Sequence, residues 1–432
     1  MQQGRISQHY PSREEISRMQ PRKNTAQTRS AVGVLNFGAG YGRTKLRDPL
    51  RQIRLLSIAI VTSKPGAPAI SCTMNTVDLA FAPAYRALSY VWGHGFSKES
   101  IQLNNERIRI NTGGYAALEH IAKMCMNNHA DWCGLWWIDE ICIDQGDEDE
   151  KRDQIRIMKR IYRNAREVVA WLGPGDNDVV KAMRQISRVT EPDFRKQFGN
   201  TDSQTLLAMR AVFSREYWSR VWILQELAVA SRRRLVCGEG ELSWQHLLAF
   251  TLMLANSEFT DRRFIRLQMD VLSCQRVWLI SLIHDDAHAR MRLNLAKLVY
   301  LSKYSCATDG RDHIIALLGM LPSDVGTSIL REGSAQCSVI CAAIRRILVD
   351  MKANGRRDKL ERCTAIAKAC KHRPLDQGYT TVEARRRCRD TDCGSLRACR
   401  LIATTLYEHD TLYTLKDHQT TIRYGLDRLW HT

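Results

Sequence analysis

Residues 135–173 run from an apolar segment through an acidic loop and a helical-period segment into a second apolar segment: LWWIDEICIDQGDEDEKRDQIRIMKRIYRNAREVVAWLG. That succession is the pattern of one strand–helix–strand unit. It predicts strands at 135–139 and 167–172 with a helix over about 150–165. On that helix Ile155, Met158, Tyr162 and Ala165 recur at three- and four-residue steps, an apolar stripe that has to face a sheet. The first strand runs into Asp139, Glu140, Asp144 and Gln145. Ligand sites in parallel sheets gather beyond the carboxyl ends of the strands, so Asp139 and Glu140 are candidates to hold a ligand's hydroxyls. They equally suit a structural role, Asp139 capping the loop or accepting backbone N–H groups. Asp147 to Glu150 fit the positive end of the helix dipole without any catalytic role.

The rest of the chain extends this frame. Strands are predicted at 52–61 and 86–92. Residues 101–110, IQLNNERIRI, alternate around Asn104-Asn105 and predict a hairpin. Residues 114–126 suit a helix with Ala117, Leu118, Ile121 and Met124 inward. Gly173-Pro174-Gly175 ends a strand, and Asp176 or Asn177 can cap the next helix. Residues 205–230 read as helical with a break near Ser214, 234–238 as a short strand, and 243–256 and 262–301 as helices. The predicted class is α/β with a parallel sheet over 52–256, followed by a helical extension at 257–325. Residues 1–50 read as a disordered basic segment and 326–432 as a Cys/Arg-rich tail of uncertain structure.

Charge sharpens that division. The chain carries 64 basic and 46 acidic side chains, a net +18. Residues 1–50 contribute +6 and 331–432 contribute +8, which leaves +4 for the long middle. Basic flanks can touch nucleic acid or anionic membrane, or stay solvated with no fixed partner. Nucleic-acid binding therefore ranks below protein partners. There is no apolar run of about 18 residues and no apolar signal core, so neither a membrane span nor secretion is expected. The fourteen cysteines form no compact framework and are expected as reduced thiols. Cys142 reads as a core thiol. Phe37 to Gly42 lacks the spacing of a phosphate loop. The tail's Cys363, Cys370, His372, Cys388, Cys393 and Cys399 lack paired C-x2-C spacing, so no metal is expected.

Four blocks of the sequence resemble the fungal heterokaryon-incompatibility (HET) domain family. They are Tyr85-Arg86-Ala87-Leu88-Ser89-Tyr90-Val91-Trp92-Gly93; Trp137-Ile138-Asp139 through Asp144-Gln145, Glu150, Gln154, Met158, Ile161-Tyr162, Ala165 and Trp171-Leu172-Gly173; Trp218, Arg220, Trp222 and Gln225-Glu226; and Ala307 to Asp312 with Ala316 to Gly319. The resemblance covers about 52–320, with its core motifs at 85–226. The chain departs from the family pattern at His94, where an acidic residue is usual, at Asp144 for Asn, at Lys151 for Arg and at Gly310 for Pro. The resemblance implies a cytoplasmic role in nonself recognition and programmed cell death signalling, through protein partners or self-association. It also implies a distant relation to the TIR fold, a flavodoxin-like sandwich some of whose members cleave NAD with a helix glutamate while others act as adaptors. The departures leave a degenerate, inactive copy as a further alternative.

Ser219 to Leu227, SRVWILQEL, is similar to the TIR Ser-x-Trp-Cys-x-x-Glu-Leu pattern with one extra residue. The resemblance assigns Glu226 as the catalytic carboxylate and Trp222 as its stacking neighbour. A carboxylate beside ribose would stabilise the positive charge that develops as nicotinamide leaves. NAD enters only as a substrate, and no cofactor is implied. The alternative places Trp222 in the core and pairs Glu226 with an arginine such as Arg220. Arg86 is either a ligand-facing cation or an ion-pair partner.

Overall fold

The computed structural model describes residues 35–36, 44–62, 68–104, 106–127, 129–188, 203–256, 271–289, 294–302, 304–321, 325–326, 328–329, 336–353, 357–369 and 394–407. Of the 1–50 segment expected to be disordered, residues 35–36 form a short strand and 44–50 lead into the sheet with Leu46 buried. The rest of it, including the glycine-rich 37–42, lies outside the described residues, as do Cys370, Cys388 and Cys393 of the tail.

Ten strands build one mixed sheet among the described residues: β1 (Leu35–Asn36), β2 (Gln52–Thr62), β3 (Pro68–Asp78), β4 (Tyr85–Tyr90), β5 (Ile101–Leu103), β6 (Glu106–Arg109), β7 (Leu135–Trp137), β8 (Glu167–Trp171), β9 (Arg233–Cys237) and β10 (Gly240–Ser243). Their order is β1-β6-β5-β3-β2-β7-β4-β8-β9-β10. The run β7-β4-β8-β9 is parallel throughout. Every residue of β4 and of β8 is buried, as strands covered on both faces must be.

In chain order these four strands lie second, first, third, fourth, the arrangement of flavodoxin-type sheets. The α/β expectation therefore holds for the centre of the sheet. Antiparallel pairing flanks it on both sides, through the 11-residue β2–β3 hairpin and through β9–β10. The β3 strand was not read from the sequence, although Ile70, Cys72 and Met74 alternate there with Ser71, Thr73 and Asn75.

The helices follow the expected pattern. Helix α1 (Thr112–Met126) buries Ala117, Leu118, Ile121 and Ala122, with Met124 only partly covered. A single turn, α2 (Asp139–Cys142), leads to α3 (Glu148–Asn164), whose N-cap is Asp147. Helix α4 (Asn177–Ser187) is capped by Asp176, the first of the two alternatives. Residues 205–230 divide into α5 (Ser203–Phe213), a 3-10 turn at Glu216–Ser219 and the short α6 (Ile223–Ala228), with the break at Ser214. Then follow α7 (Trp244–Asn256), α8 (Val271–Ala289), α9 (Leu295–Leu301), α10 (Asp312–Leu318), α11 (Gln336–Ala353), α12 (Arg357–Ala369) and α13 (Gly394–Tyr407). The tail segments are thus helical where they are described. They bury Ile340, Ala343 and Ile347 of α11 and Cys399, Ile402 and Ala403 of α13.

One buried ion pair fastens β2 to α3. Arg54, 1% exposed, donates to both Glu150 oxygens at 2.5 and 2.8 Å. It also reaches the Cys142 and Thr44 carbonyls. The other Glu150 contact, from the Asp144 N–H at 2.7 Å, fixes the acidic loop. Glu150 is therefore a buried partner and not a member of the solvated dipole group. Removing one partner of such a pair leaves an uncompensated charge. Arg54→Ala is expected to lower unfolding free energy by about 3–5 kcal/mol, measured by urea denaturation; a loss under about 1 kcal/mol would show the pair to be solvated.

Candidate functional site

Strand β4 ends in Ser89 and Tyr90, and successive side chains of a strand point to opposite faces. Around this strand end the chain gathers an unusual set of ionisable groups. On one face, Ser89 Oγ donates to Glu226 Oε2 in a short hydrogen bond and lies 2.7 Å from the Tyr217 hydroxyl. On the other, the Tyr90 hydroxyl donates to Glu140 Oε2 at 3.1 Å. Glu140 Oε1 accepts from the Asn111 N–H and side-chain amide at 2.6 and 2.8 Å. A Cβ on Gly114 would come within 2.6 Å of Glu140 Oε2, so a glycine in the first turn of α1 is what lets the carboxylate sit there. Asp139 lies beside the pair and accepts from Trp92 Nε1 at 3.0 Å. Arg220 donates to the Tyr90 carbonyl, and its charge acts on Glu226 and Asp139 together.

Burial decides the electrostatics. Glu226 is 1% exposed and Glu140 0%. Burial pushes the Glu226 carboxyl up to about 7, although the Arg220 charge and the Ser89 hydrogen bond favour its anion. Burial likewise raises Glu140 to about 7 against its Asn111 and Tyr90 hydrogen bonds. Asp139 is raised as well, burial outweighing Arg220 and Trp92. For Arg220 burial disfavours the charge, but Glu226 and Asp139 more than restore it.

Three of the five sequence-derived candidates, Glu226, Asp139 and Glu140, come together here. Trp222 does not stack within the cluster. It is the N-cap residue of α6, one turn before Glu226, and its indole donates to Asp312 at 2.9 Å. Arg86 lies at the start of β4, about 10 Å along the strand from Ser89. There it pairs with Glu167 at 3.5 Å and covers the Trp136 ring, which is the ion-pair alternative. His94 is exposed, 3.9 Å from Glu216.

Ser89, Tyr90 and Asp312 stood in the resembling blocks without an assigned role, and Tyr217 and Asn111 were not read from the sequence. A serine inside the fully buried strand YRALSY was the available signal, since a buried hydroxyl requires a partner.

The segment that follows the domain is docked onto the same motif. Residues 219–221 pair with Cys306 through backbone bonds of 2.6 and 3.0 Å. Trp222 holds Asp312, whose carboxyl burial pushes up to about 6. A Cβ on Gly319 would lie 2.2 Å from Gln225 Oε1, so the glycine admits that side chain.

Comparison with known proteins matches this region. Residues 85–226 match the family described as Heterokaryon incompatibility protein (HET). Residues 85–226 are thus HET-domain-like sequence. The chain is 27% identical over 269 residues to "Heterokaryon incompatibility protein 6, OR allele" of Neurospora crassa, a stretch covering 53% of this chain and 39% of that protein. The chain thus spans about two fifths of the relative's length. No solved structure matches it. Among the described residues, no helix of this chain is long and apolar enough to cross a membrane, and no cluster of His, Cys, Asp and Glu could hold a metal ion.

The two raised glutamates bind protons more tightly in the folded chain than in the unfolded one, where the ordinary value is 4.5. Their contribution is fully present below about pH 4.5 and is lost as pH rises through about 7. Each accounts for at most on the order of 3 kcal/mol. The urea midpoint is expected to fall between pH 5 and pH 7.5, and Glu226→Gln should flatten that fall by clearly less than half, since Glu140, Asp139 and Asp312 are raised as well. An unchanged slope in the variant would contradict the assignment.

Proposed function

We propose that this HET-like domain is a signalling module of fungal nonself recognition, cytoplasmic in location, that provokes growth arrest and cell death when it engages a protein partner or a second copy of itself. The family match over 85–226 supports the incompatibility role. The observation that favours signalling over catalysis is the enclosure of Glu226. Its carboxylate is 1% exposed and held by Ser89, beside a Tyr217 that is equally buried. A group that stabilises charge developing on a substrate has to touch that substrate, and here protein side chains occupy the position.

A second reading, NAD cleavage with Glu226 as the key carboxylate and Trp222 against the base, has two observations in its favour. The carboxyl is raised to about 7, as catalytic groups often are. It also lies by the carboxyl end of a central parallel strand, where ligands of such sheets bind. That reading requires α6 to move away from Ser89 before substrate can enter.

Expressing the 432-residue chain in yeast, wild type beside Glu226→Gln, separates the two when growth and NAD content are followed together. Arrest with unchanged NAD is the expected result. NAD loss that disappears in the variant would establish the enzymatic reading instead. No arrest in either would contradict both and identify an inactive copy.

A further inference from the structure

Three pairs of thiols lie near one another among the described cysteines. Cys72 and Cys142 interact, and each is 0% exposed. Cys341 and Cys399 interact, and Cys399 is 0% exposed. The pair Cys125 and Cys133 differs: Cys133 is exposed and Cys125 partly so. Cys125 is the penultimate residue of α1, and Cys133 precedes β7 in the loop that follows that helix.

Cys133 Sγ lies 4.0 Å from the Cys125 carbonyl oxygen and 3.8 Å from that of His129. Burial first, and then the Cys133 thiol beside it, raise the Cys125 thiol. Two further features hold Cys133 in this pose. Gly134 follows it at φ +129°, a conformation that L side chains rarely adopt. Arg86 Nη1 donates to the Cys133 carbonyl at 3.3 Å.

We propose that Cys125 and Cys133 form a redox modification site that closes to an intramolecular disulfide when the protein meets a hydroperoxide. The accessible sulfur is Cys133. Its thiolate attacks one peroxide oxygen, the O–O bond breaks, and water leaves after proton uptake, giving a sulfenic acid. The Cys125 sulfur then attacks Cys133 Sγ, the S–O bond breaks, and a second water leaves with the Cys125 proton. Two thiols are oxidised by two electrons and one peroxide is reduced to two waters. Burial pushes the Cys125 thiol up to about 12 despite the nearby Arg86 charge, so Cys133 is the sulfur that meets the peroxide, and the attack by Cys125, which must first give up its proton, is the slower step.

The bridge would tie the end of α1 to the entry of β7. The start of α1 positions Glu140 and the end of β7 leads to Asp139, so the disulfide would fix the frame of the carboxylate cluster without touching it. The shared feature of the other pairs, a fully buried member, shields them from the oxidant.

The test uses the full chain, reduced and then given a few equivalents of hydrogen peroxide. Free thiols are alkylated and the protein is digested before aspartate, which cuts ahead of Asp131 and places Cys133 alone in the 131–138 fragment. The expected product is that fragment joined to the one bearing Cys125, about 2 Da lighter than their sum and separated by dithiothreitol. Cys72 and Cys142 should stay alkylated. Cys125→Ser should give no bridge and leave Cys133 trapping dimedone. Cys133 recovered alkylated or over-oxidised without a bridge in the folded wild type would overturn the proposal, as would an equal yield of bridge from chain unfolded in urea.

Discussion

The charge of Arg220 is what allows Glu226 and Asp139 to share one strand end, where Glu140 relies on Asn111 and Tyr90. Glu226, Asp139 and Glu140 all approach the last residues of β4, where solvent is scarce and like charges repel strongly. Without a cation the cluster could exist only fully protonated. Arg220 supplies that cation to Glu226 and Asp139 and also satisfies the Tyr90 carbonyl. Hydrogen bonds from Ser89, Tyr90, Trp92 and Asn111 complete the set. The outcome is a polar core in which each acid has named partners, the condition under which such a network specifies one structure.

The fold explains why the cluster forms there. With the four parallel strands in the order second, first, third, fourth, the connections leaving β4 and β8 depart in opposite directions and open a crevice at their carboxyl ends. In this chain the crevice is filled from within. Segment 216–228 enters it, Glu226 bonds to Ser89, and residues 306–319 pack over α6 through Cys306, Asp312 and Gly319. The segment following the HET-like domain therefore belongs to the same packed unit as the carboxylates. The site is a junction where four sequence blocks meet.

Much of this was legible beforehand, for identifiable reasons. Long periodic segments identified themselves: the apolar β8, the hairpin around Asn104, which adopts φ 54°, and α3, although its buried face is Gln154, Ile157, Met158, Ile161 and Tyr162, with the expected Ile155 turned partly outward and Ala165 capping the helix end. Asp176 followed from capping chemistry, whereas Asp147, read only as complementing the helix dipole, proves to be the N-cap of α3. What the sequence concealed were pairings between distant positions. Nothing in the local pattern of α3 says that Glu150 faces Arg54 across 96 residues, since an acidic first turn is already explained by the helix dipole. The same holds for Ser89 with Glu226, 137 residues apart. Arg86 and Trp222 were chosen for their chemistry, but strand position and a partner on α10 carried them out of the cluster.

The central claim is that Arg220 couples β4, the acidic turn, α6 and the segment after the domain into one cooperative unit. Hydrogen–deuterium exchange of Arg220→Met against wild type at pH 7.5 tests it most directly. Faster exchange should appear together in peptides covering 90–95, 139–147, 219–228 and 306–318, with the β2–β3 hairpin unchanged. Acceleration confined to residues 219–222 would contradict the account and leave the carboxylates as separate local features.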